Sequence, residues 1–196
     1  MKEMVKKWDL MWDVYYEKVR NFSLAGKISL SVFFAILTGI SAQIYIKLPF
    51  TPVPLTFQVF TVLLSGVLLG RNFAALSQFF YFIFGVSGIG WFYGSGAGIL
   101  RPTNGYIIGF IFSAYFIGKF FSLKKNKTYS FLIMLCSLFI IYFFGCLYLS
   151  LFLKIGFYKT FLLGAIPFIP FDIIKAYLAA VVGNSIVRNR RIYEEI

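Results

Sequence analysis

The feature that most constrains this chain is a series of six long apolar runs separated by short polar segments. A helix needs roughly 20 apolar residues to cross a bilayer, and several of the runs reach or approach that length. A soluble domain of 196 residues with 60% hydrophobic and only 13% charged residues could not bury so much apolar surface. We therefore predict an all-α integral membrane protein with about six transmembrane helices. The runs are Ile28–Ile46, Phe57–Gly70, Phe73–Gly90, Tyr106–Phe121, Phe131–Phe152 and about Phe161–Val187.

The second and third runs are separated only by the polar pair Arg71–Asn72 after Gly70. Glycine followed by polar residues is typical of a turn, so we expect two separate helices here. The second run is short for a span, which predicts a tilted or partly buried helix.

The basic residues predict the orientation. Of the 19 Lys and Arg residues, 14 lie in segments 1–27, 71, 119–127 and 188–191, whereas 4 lie in the alternate segments. Basic residues in short loops accumulate on the cytoplasmic side of a membrane. We therefore predict a multi-pass protein of the cell membrane, with both termini on the cytoplasmic side. The same clusters explain the net charge of +12 without any nucleic-acid partner.

Residues 1–23 differ from the rest of the chain and predict an amphipathic helix. Trp8, Met11, Trp12, Tyr15 and Val19 recur at helical spacing among charged residues. Such a helix either lies in the membrane interface against lipid or covers the first span. Residues 24–188 are then the membrane domain, and residues 189–196 a basic cytoplasmic tail.

The sequence lacks residues that several kinds of chemistry require. The chain has no histidine, which removes the commonest metal ligand and the commonest general base. The glycine-rich stretch after Trp91 is not followed by the Gly-Lys-Ser/Thr of a nucleotide-phosphate loop. We expect no enzyme activity, metal or cofactor, so any ATP would be used by partner proteins.

The predicted orientation places the prolines and glycines of segments 49–54, 91–106 and 167–170 on the outer side. Irregular backbone at membrane depth is tolerated where it is buried or lines a cavity. A pocket open to the outside is the simplest account. The glycine-rich stretch is either an ordinary tight loop or a lid whose wall is formed by Trp91, Phe92 and Tyr93.

Asp172 and Lys175 are the two charged residues within the last apolar run. A spacing of three residues places both side chains on one face of a helix, one turn apart. Pro170 fits the first turn of that helix, where the helix dipole favours the Asp172 carboxylate. The pair is either a self-satisfied ion pair between helices or a site that holds a polar ligand.

Small residues recur in the first run, at Ala35, Gly39 and Ala42. This spacing lets helices approach closely in lipid, either within the chain or at a docking face for another membrane protein. Gln58 is an uncharged amide that must find a polar partner or line a wet cavity.

Three stretches resemble BioY, the biotin-binding membrane subunit of energy-coupling-factor (ECF) vitamin transporters. Pro52-Val-Pro-Leu-Thr-Phe-Gln58 is similar to the family's proline-rich entry to its second span. Pro102-Thr-Asn-Gly-Tyr106 resembles its PTGGY-type turn, and Pro167-Phe-Ile-Pro-Phe-Asp-Ile-Ile-Lys-Ala176 its PF-x-P-x-D-x-x-K-A motif. The resemblance runs from about Leu24 to Val187.

The resemblance implies a biotin site near the outer face, with binding roles for Asp172, Lys175 and Gln58. We expect Trp91 and Tyr81 to cover the ring of the ligand. The resemblance also implies a transmembrane coupling subunit and two cytoplasmic ATPases as partners, docked partly on the small residues of the first span.

Three residues depart from the family pattern, and two of them fall in the loop of the site. Arg101 and Asn104 stand where glycines are expected, and Phe171 replaces a glycine before Asp172. We include Arg101 and Asn104 in the predicted substrate site. Arg101 suits a valerate carboxylate, which a guanidinium can bind through two hydrogen bonds.

The sequence thus predicts a subunit that captures biotin at the outer face for import driven by partner ATPases. A proton-coupled or facilitative carrier that acts alone is the alternative. An intramembrane enzyme and a structural scaffold are two further possibilities, and binding of biotin distinguishes both from the predicted function.

Overall fold

The structure is a computed structural model that describes residues 2–121 and 126–186. The predicted tail at 189–196 lies outside the described residues. The described chain is mainly helical, and its elements are α1 (Lys2–Asn21), α2 (Leu24–Ala42), β1 (Tyr45–Ile46), β2 (Leu55–Thr56), α3 (Gln58–Val86), α4 (Asn104–Phe120), α5 (Lys127–Leu153), α6 (Phe157–Gly164) and α7 (Ile169–Ile186).

Within the described residues, four helices are long and apolar enough to cross a membrane, namely α2, α3, α5 and α7. α4 has 17 residues and packs between α3 and α5. α7 packs against α5 and α3, which closes the bundle. The prediction of an all-α, multi-pass membrane protein is confirmed, whereas the number of six spans and the cytoplasmic termini stay predictions.

The break between the second and third apolar runs is a kink inside α3. Gly70 has φ 71° and ψ 175°, a conformation that favours glycine, whereas Arg71 and Asn72 already belong to the helix. The expectation of two helical segments is therefore confirmed, but the break lies at Gly70 itself and not at Arg71–Asn72. Gly118 of α4 lies against the Arg71 backbone, so a side chain there would prevent the close approach.

The last apolar run is not one helix. α6 ends at Gly164, and α7 begins at Ile169 after a short break. Pro170 lies in the first turn of α7, as predicted, where its missing N–H costs no intrahelical bond. Asp172 is also in that turn, and its backbone N–H donates to Phe168 O at 2.9 Å.

A short hairpin connects α2 to α3, and the sequence analysis did not predict it. Tyr45 pairs with Thr56 and Ile46 with Leu55 in an antiparallel register. The proline-rich segment forms the turn of this hairpin. We call the segment between α3 and α4 (residues 87–103) the lid. The lid lies beside the hairpin, since the centres of the Tyr45 and Tyr93 rings are 5.7 Å apart.

The small residues of α2 face the interior of the bundle. Ala35 and Ala42 have no exposed surface, and Gly39 is buried against the side chain of Trp91. In this arrangement these residues let α2 pack closely within the chain, as one of the two expectations has it. A partner-docking role for Ala35, Gly39 and Ala42 stays a prediction.

α1 packs against the last turn of α7 and against α3 next to the break at Gly70. Trp8 Nε1 donates to Ser185 O at 3.3 Å, and Tyr15 OH donates to Leu68 O at 3.4 Å. Val19 is buried, whereas Leu10 is 63% exposed. The helix therefore covers the bundle with one face and leaves apolar surface on another.

Candidate ligand-binding site

Three helices begin at one polar cavity. Gln58 is the first residue of α3, Thr103 immediately precedes α4, and Asp172 lies in the first turn of α7. The cavity lies between these helix starts, the hairpin and the middle of α5. Its lining residues are Val53, Pro54, Leu55, Thr56, Gln58, Val59, Tyr93, Thr103, Tyr106, Ile107, Phe110, Ile141, Tyr142, Phe168 and Asp172.

Asp172 is the charged centre of this cavity. It is only 3% exposed, and both of its carboxylate oxygens are hydrogen bonded. Lys175 Nζ donates to Oδ1 at 2.7 Å, and Tyr142 OH donates to Oδ2 at 2.6 Å. Burying a carboxylate is costly unless it is paired and hydrogen bonded, and these two donors supply that compensation.

Lys175 lies behind Asp172 and does not line the cavity. Its ammonium group also donates to Thr56 O at 2.7 Å, which ties α7 to the hairpin. An ammonium has three N–H donors, so one remains beyond Asp172 and Thr56. The structure therefore gives Lys175 a positioning role, because it orients Asp172 and fixes the hairpin beside it.

Gln58 lines the cavity, and two of the other predicted site residues support it from behind. Gln58 Nε2 donates to Tyr81 OH at 2.6 Å, and Trp91 Nε1 donates to Tyr81 O at 2.9 Å. Tyr81 is fully buried, and neither Tyr81 nor Trp91 reaches the cavity wall. In this arrangement they act through Gln58 rather than by covering a ring.

Arg101 lies on the outer side of Tyr93. Its Nη2 donates to Tyr93 O at 3.3 Å, and its guanidinium carbon lies 4.8 Å from the centre of the Tyr93 ring. Tyr93 lines the cavity, whereas Arg101 does not. Its charge therefore lies against a residue of the cavity wall and does not itself line the cavity.

Asn104 holds the lid against the start of α4. Its Nδ2 donates to Gly98 O at 3.2 Å and to Ile99 O at 2.7 Å. Asn104 is 1% exposed and does not line the cavity. Asn104 stands where the family pattern has glycine, and its side chain makes two hydrogen bonds to the lid that a glycine could not make.

Sequence reasoning missed four polar residues on the cavity wall, namely Thr56, Thr103, Tyr106 and Tyr142, whereas Tyr93 belongs to the predicted wall of the lid. Tyr142 lies in a uniform apolar run, and a tyrosine among 13 gives no signal of its own. Tyr106 OH donates to Gly164 O at 2.8 Å, which fixes the start of α4 to the end of α6. Thr103 and Tyr106 do belong to the Pro102–Tyr106 motif, so weighting every polar member of that motif would have found them.

A second and larger hollow, of about 450 Å³, opens sideways between α5, α6 and α7. Its lining is apolar except for Tyr142, whose hydroxyl is already bonded to Asp172. A hollow on the side of membrane-crossing helices faces lipid chains, which need no polar group. The smaller cavity carries the polar groups that fix the orientation of a ligand, so it is the candidate site.

The candidate cavity holds about 50 Å³, which is room for a few water molecules. A vitamin-sized ligand needs more space, so the hairpin or the lid must move outward when such a ligand binds.

The fold and the cavity together define a multi-pass helical membrane protein with a polar ligand cavity at one end of the bundle. The chain belongs to the BioY family, since the family model matches residues 12–191. The match begins inside α1. The family model therefore includes part of this helix, whereas the motif-based resemblance begins only at about Leu24.

Curated relatives carry the same family name. A probable biotin transporter BioY of Pyrococcus horikoshii is 40% identical over 168 residues, covering 84% of this chain and 98% of the relative. Biotin transporter BioY of Thermotoga maritima is 34% identical over 142 residues, covering 71% of this chain and 83% of the relative. The chain is therefore similar to these proteins over nearly their whole length.

A solved structure has the same fold. It is the crystal structure of the S-component for biotin from an ECF-type ABC transporter, with a TM-score of 0.74 and 24% identity. The match covers 83% of this chain and 93% of that chain. At this identity the likeness establishes the fold, and the site must be argued from this chain's own residues.

Proposed function

We propose that this protein is the biotin-binding membrane subunit of an ECF-type vitamin transporter and captures biotin at the outer face of the cell membrane. The observation that carries the proposal is the buried Asp172 carboxylate on the cavity wall, paired with Lys175 and flanked by Gln58. Membership of the BioY family and the names of the relatives support biotin as the ligand.

The polar groups of the cavity match the ureido ring of biotin, which has two N–H donors and one carbonyl acceptor. A carboxylate oxygen has two lone pairs, so Asp172 can accept from a ureido N–H while it keeps Lys175 and Tyr142. The carboxamide of Gln58 has both donors and an acceptor and lies on the same wall. Aromatic and aliphatic residues such as Phe110 and Ile141 complete the lining around the apolar part of the ring.

The transport cycle in this proposal needs partners. A transmembrane coupling subunit and two cytoplasmic ATPases would supply the energy, as the resemblance to ECF transporters implies. The buried positions of Ala35, Gly39 and Ala42 mean that the partner must dock on another surface of the chain, or that α2 must rearrange on docking.

Titration of the purified full chain with biotin, and with unrelated vitamins such as thiamine and riboflavin, tests the proposal. We expect saturable binding of one biotin per chain and no binding of the other vitamins. Asp172→Asn should weaken biotin binding by about 1.5–3 kcal/mol, the contribution of a charge-assisted hydrogen bond. Asp13→Asn on α1 makes the same chemical change away from the cavity and should leave the affinity unchanged.

A lack of saturable biotin binding by the folded wild-type chain would refute the proposed function. Uptake into proteoliposomes separates the proposal from the alternative of a carrier that acts alone. Biotin uptake that needs a proton gradient, and no ATPase subunit, would favour the carrier.

A further inference from the structure

The start of α4 contains an unusual concentration of unpartnered polar atoms. Among the described residues, five buried side-chain polar atoms have no hydrogen-bond partner, and three of them belong to the stretch Arg101–Asn104. They are Arg101 Nε, Thr103 Oγ1 and Asn104 Oδ1. Buried polar groups are nearly always hydrogen bonded, so such a cluster indicates that a partner from outside the chain completes it.

Thr103 is the member of this cluster that reaches the cavity. It is 8% exposed, lines the cavity and immediately precedes α4. Its hydroxyl makes no capping bond to the helix, whereas Ser23 and Asn126 accept such bonds before α2 and α5. The Thr103 hydroxyl therefore has no partner among the described residues, and because the residue lines the cavity, the hydroxyl can donate to an acceptor that enters there.

The cavity also favours a negative group. α3, α4 and α7 all begin at its wall, and each helix N-terminus carries the equivalent of about half a positive charge. The starts of α3 and α4 have no side-chain cap. At α4 the N–H groups of Asn104, Tyr106 and Ile107 donate to Arg101 O or Thr103 O, so Gly105 N–H is the first-turn donor that stays available among the described residues. Asp172 is already paired with Lys175, which leaves the field of the helix starts available to an anion.

Arg101 supports this field without direct contact. Its guanidinium is held on Tyr93 by a hydrogen bond to the backbone and by stacking on the ring. Thr103 and Tyr93 line the cavity and Arg101 does not, so a ligand in the cavity contacts Thr103 rather than Arg101. A direct bidentate contact with Arg101 would need this part of the lid to rearrange.

We infer that Thr103 and the N-terminus of α4 bind the carboxylate of the ligand's acid chain. This inference rests on the proposed function, in which the ligand is biotin and the acid chain is its valerate. Asp172 and Gln58 bind the ureido ring, and the Thr103 hydroxyl donates to the carboxylate at the start of α4. Thr103 is then a specificity residue that distinguishes the free acid from its neutral derivatives.

The test compares biotin with biotinamide, in which a neutral amide replaces the carboxylate, by calorimetric titration of the full chain. Thr103→Val keeps the shape of the side chain and removes the hydroxyl. We expect its biotin affinity to fall about tenfold to a hundredfold, and its biotinamide affinity to fall by less than about tenfold. Thr103→Ser keeps the hydroxyl and should keep most of the preference for the acid.

Arg101→Gln is the matched control for charge near the cavity. We expect it to reduce the preference for biotin over biotinamide by less than Thr103→Val does. If Arg101→Gln removes the preference while Thr103→Val keeps it, Arg101 binds the carboxylate and the inference is wrong.

Two further outcomes would also overturn the inference. One is that Thr103→Val lowers the affinities for biotin and biotinamide by the same factor. The other needs no variant, because a wild-type chain that binds both compounds equally has no carboxylate site. A wild-type chain that binds neither compound would instead refute the proposed function, and the inference with it.

Discussion

Asp172 and Thr103 both lie at the start of a helix on the wall of one cavity, yet their side chains differ in the hydrogen bonds that they make. Both carboxylate oxygens of Asp172 accept hydrogen bonds, one from Lys175 and one from Tyr142. Thr103 Oγ1 is also buried and has no partner among the described residues. The polar groups on the Asp172 side of the cavity are therefore hydrogen bonded within the chain, whereas the Thr103 hydroxyl on the other side is not.

The difference separates two ways of building a binding site. The Asp172 side is preorganised, so a ligand there adds hydrogen bonds without first ordering the protein groups. The Thr103 side carries an unsatisfied group that lowers the stability of the chain by itself and is relieved when a ligand binds. Substitutions on the Asp172 side should therefore reduce stability and binding together, whereas those on the Thr103 side should mainly reduce binding.

The largest effect is expected from separating the ion pair. Lys175→Met leaves Asp172 buried without its cation, and removing one partner of a buried pair costs about 3–5 kcal/mol. We expect a large fall in the melting temperature of the detergent-solubilised chain and loss of biotin binding. Thermal unfolding followed by circular dichroism, together with the biotin titration, measures both effects.

The double variant Asp172→Asn with Lys175→Met is the control for this prediction. It removes both charges, and replacing a buried pair with neutral groups is often nearly neutral for stability. We expect it to recover most of the melting temperature while binding stays lost. Equal stability of wild type and Lys175→Met would show that the pair does not act as a buried ion pair.

Tyr142→Phe should have an intermediate effect. It removes the hydrogen bond to Asp172 Oδ2, and a bond to a charged acceptor contributes about 1.5–3 kcal/mol. Asp172 keeps Lys175, so we expect a smaller loss of stability than in Lys175→Met, with weaker biotin binding. Tyr129→Phe, on the same helix but away from the cavity, is the matched control and should leave the affinity unchanged.

The same contrast explains what the sequence could predict. Asp172 and Lys175 were found because charged residues in an apolar run are costly and must be compensated. Pro170 then placed Asp172 in the first turn of a helix, and the structure has it there. The helical class and most helix positions also followed from the length of the apolar runs.

Other features depend on packing that no local pattern reveals. Nothing in the sequence around Tyr142 distinguishes it from other aromatic residues, since its role comes from the packing of α5 against α7. The small residues of α2 are equally compatible with an internal and an external face, and their burial depends on how α2 packs in the bundle. The break at Gly70 depends on its positive φ, and Gly118 of α4 lets the two backbones approach there.

The smallest effect on stability is expected on the Thr103 side of the cavity, in Asn104→Ala. This variant removes the hydrogen bonds to Gly98 O and Ile99 O, but Tyr148 OH still donates to Ile99 O at 3.1 Å. We expect the melting temperature to fall only slightly, because the lid carbonyls lie beside exposed residues and water can replace the lost donor.

Hydrogen exchange should nevertheless be faster in the lid of Asn104→Ala, with little change in the helices, and biotin should dissociate faster. Adding Tyr148→Phe removes the remaining donor to Ile99 O and should increase both rates further. Tyr148→Phe alone measures the contribution of that donor and completes a double-mutant cycle. If Asn104→Ala instead destabilises the whole bundle as much as Lys175→Met does, the two sides of the cavity do not differ in the way that the structure indicates.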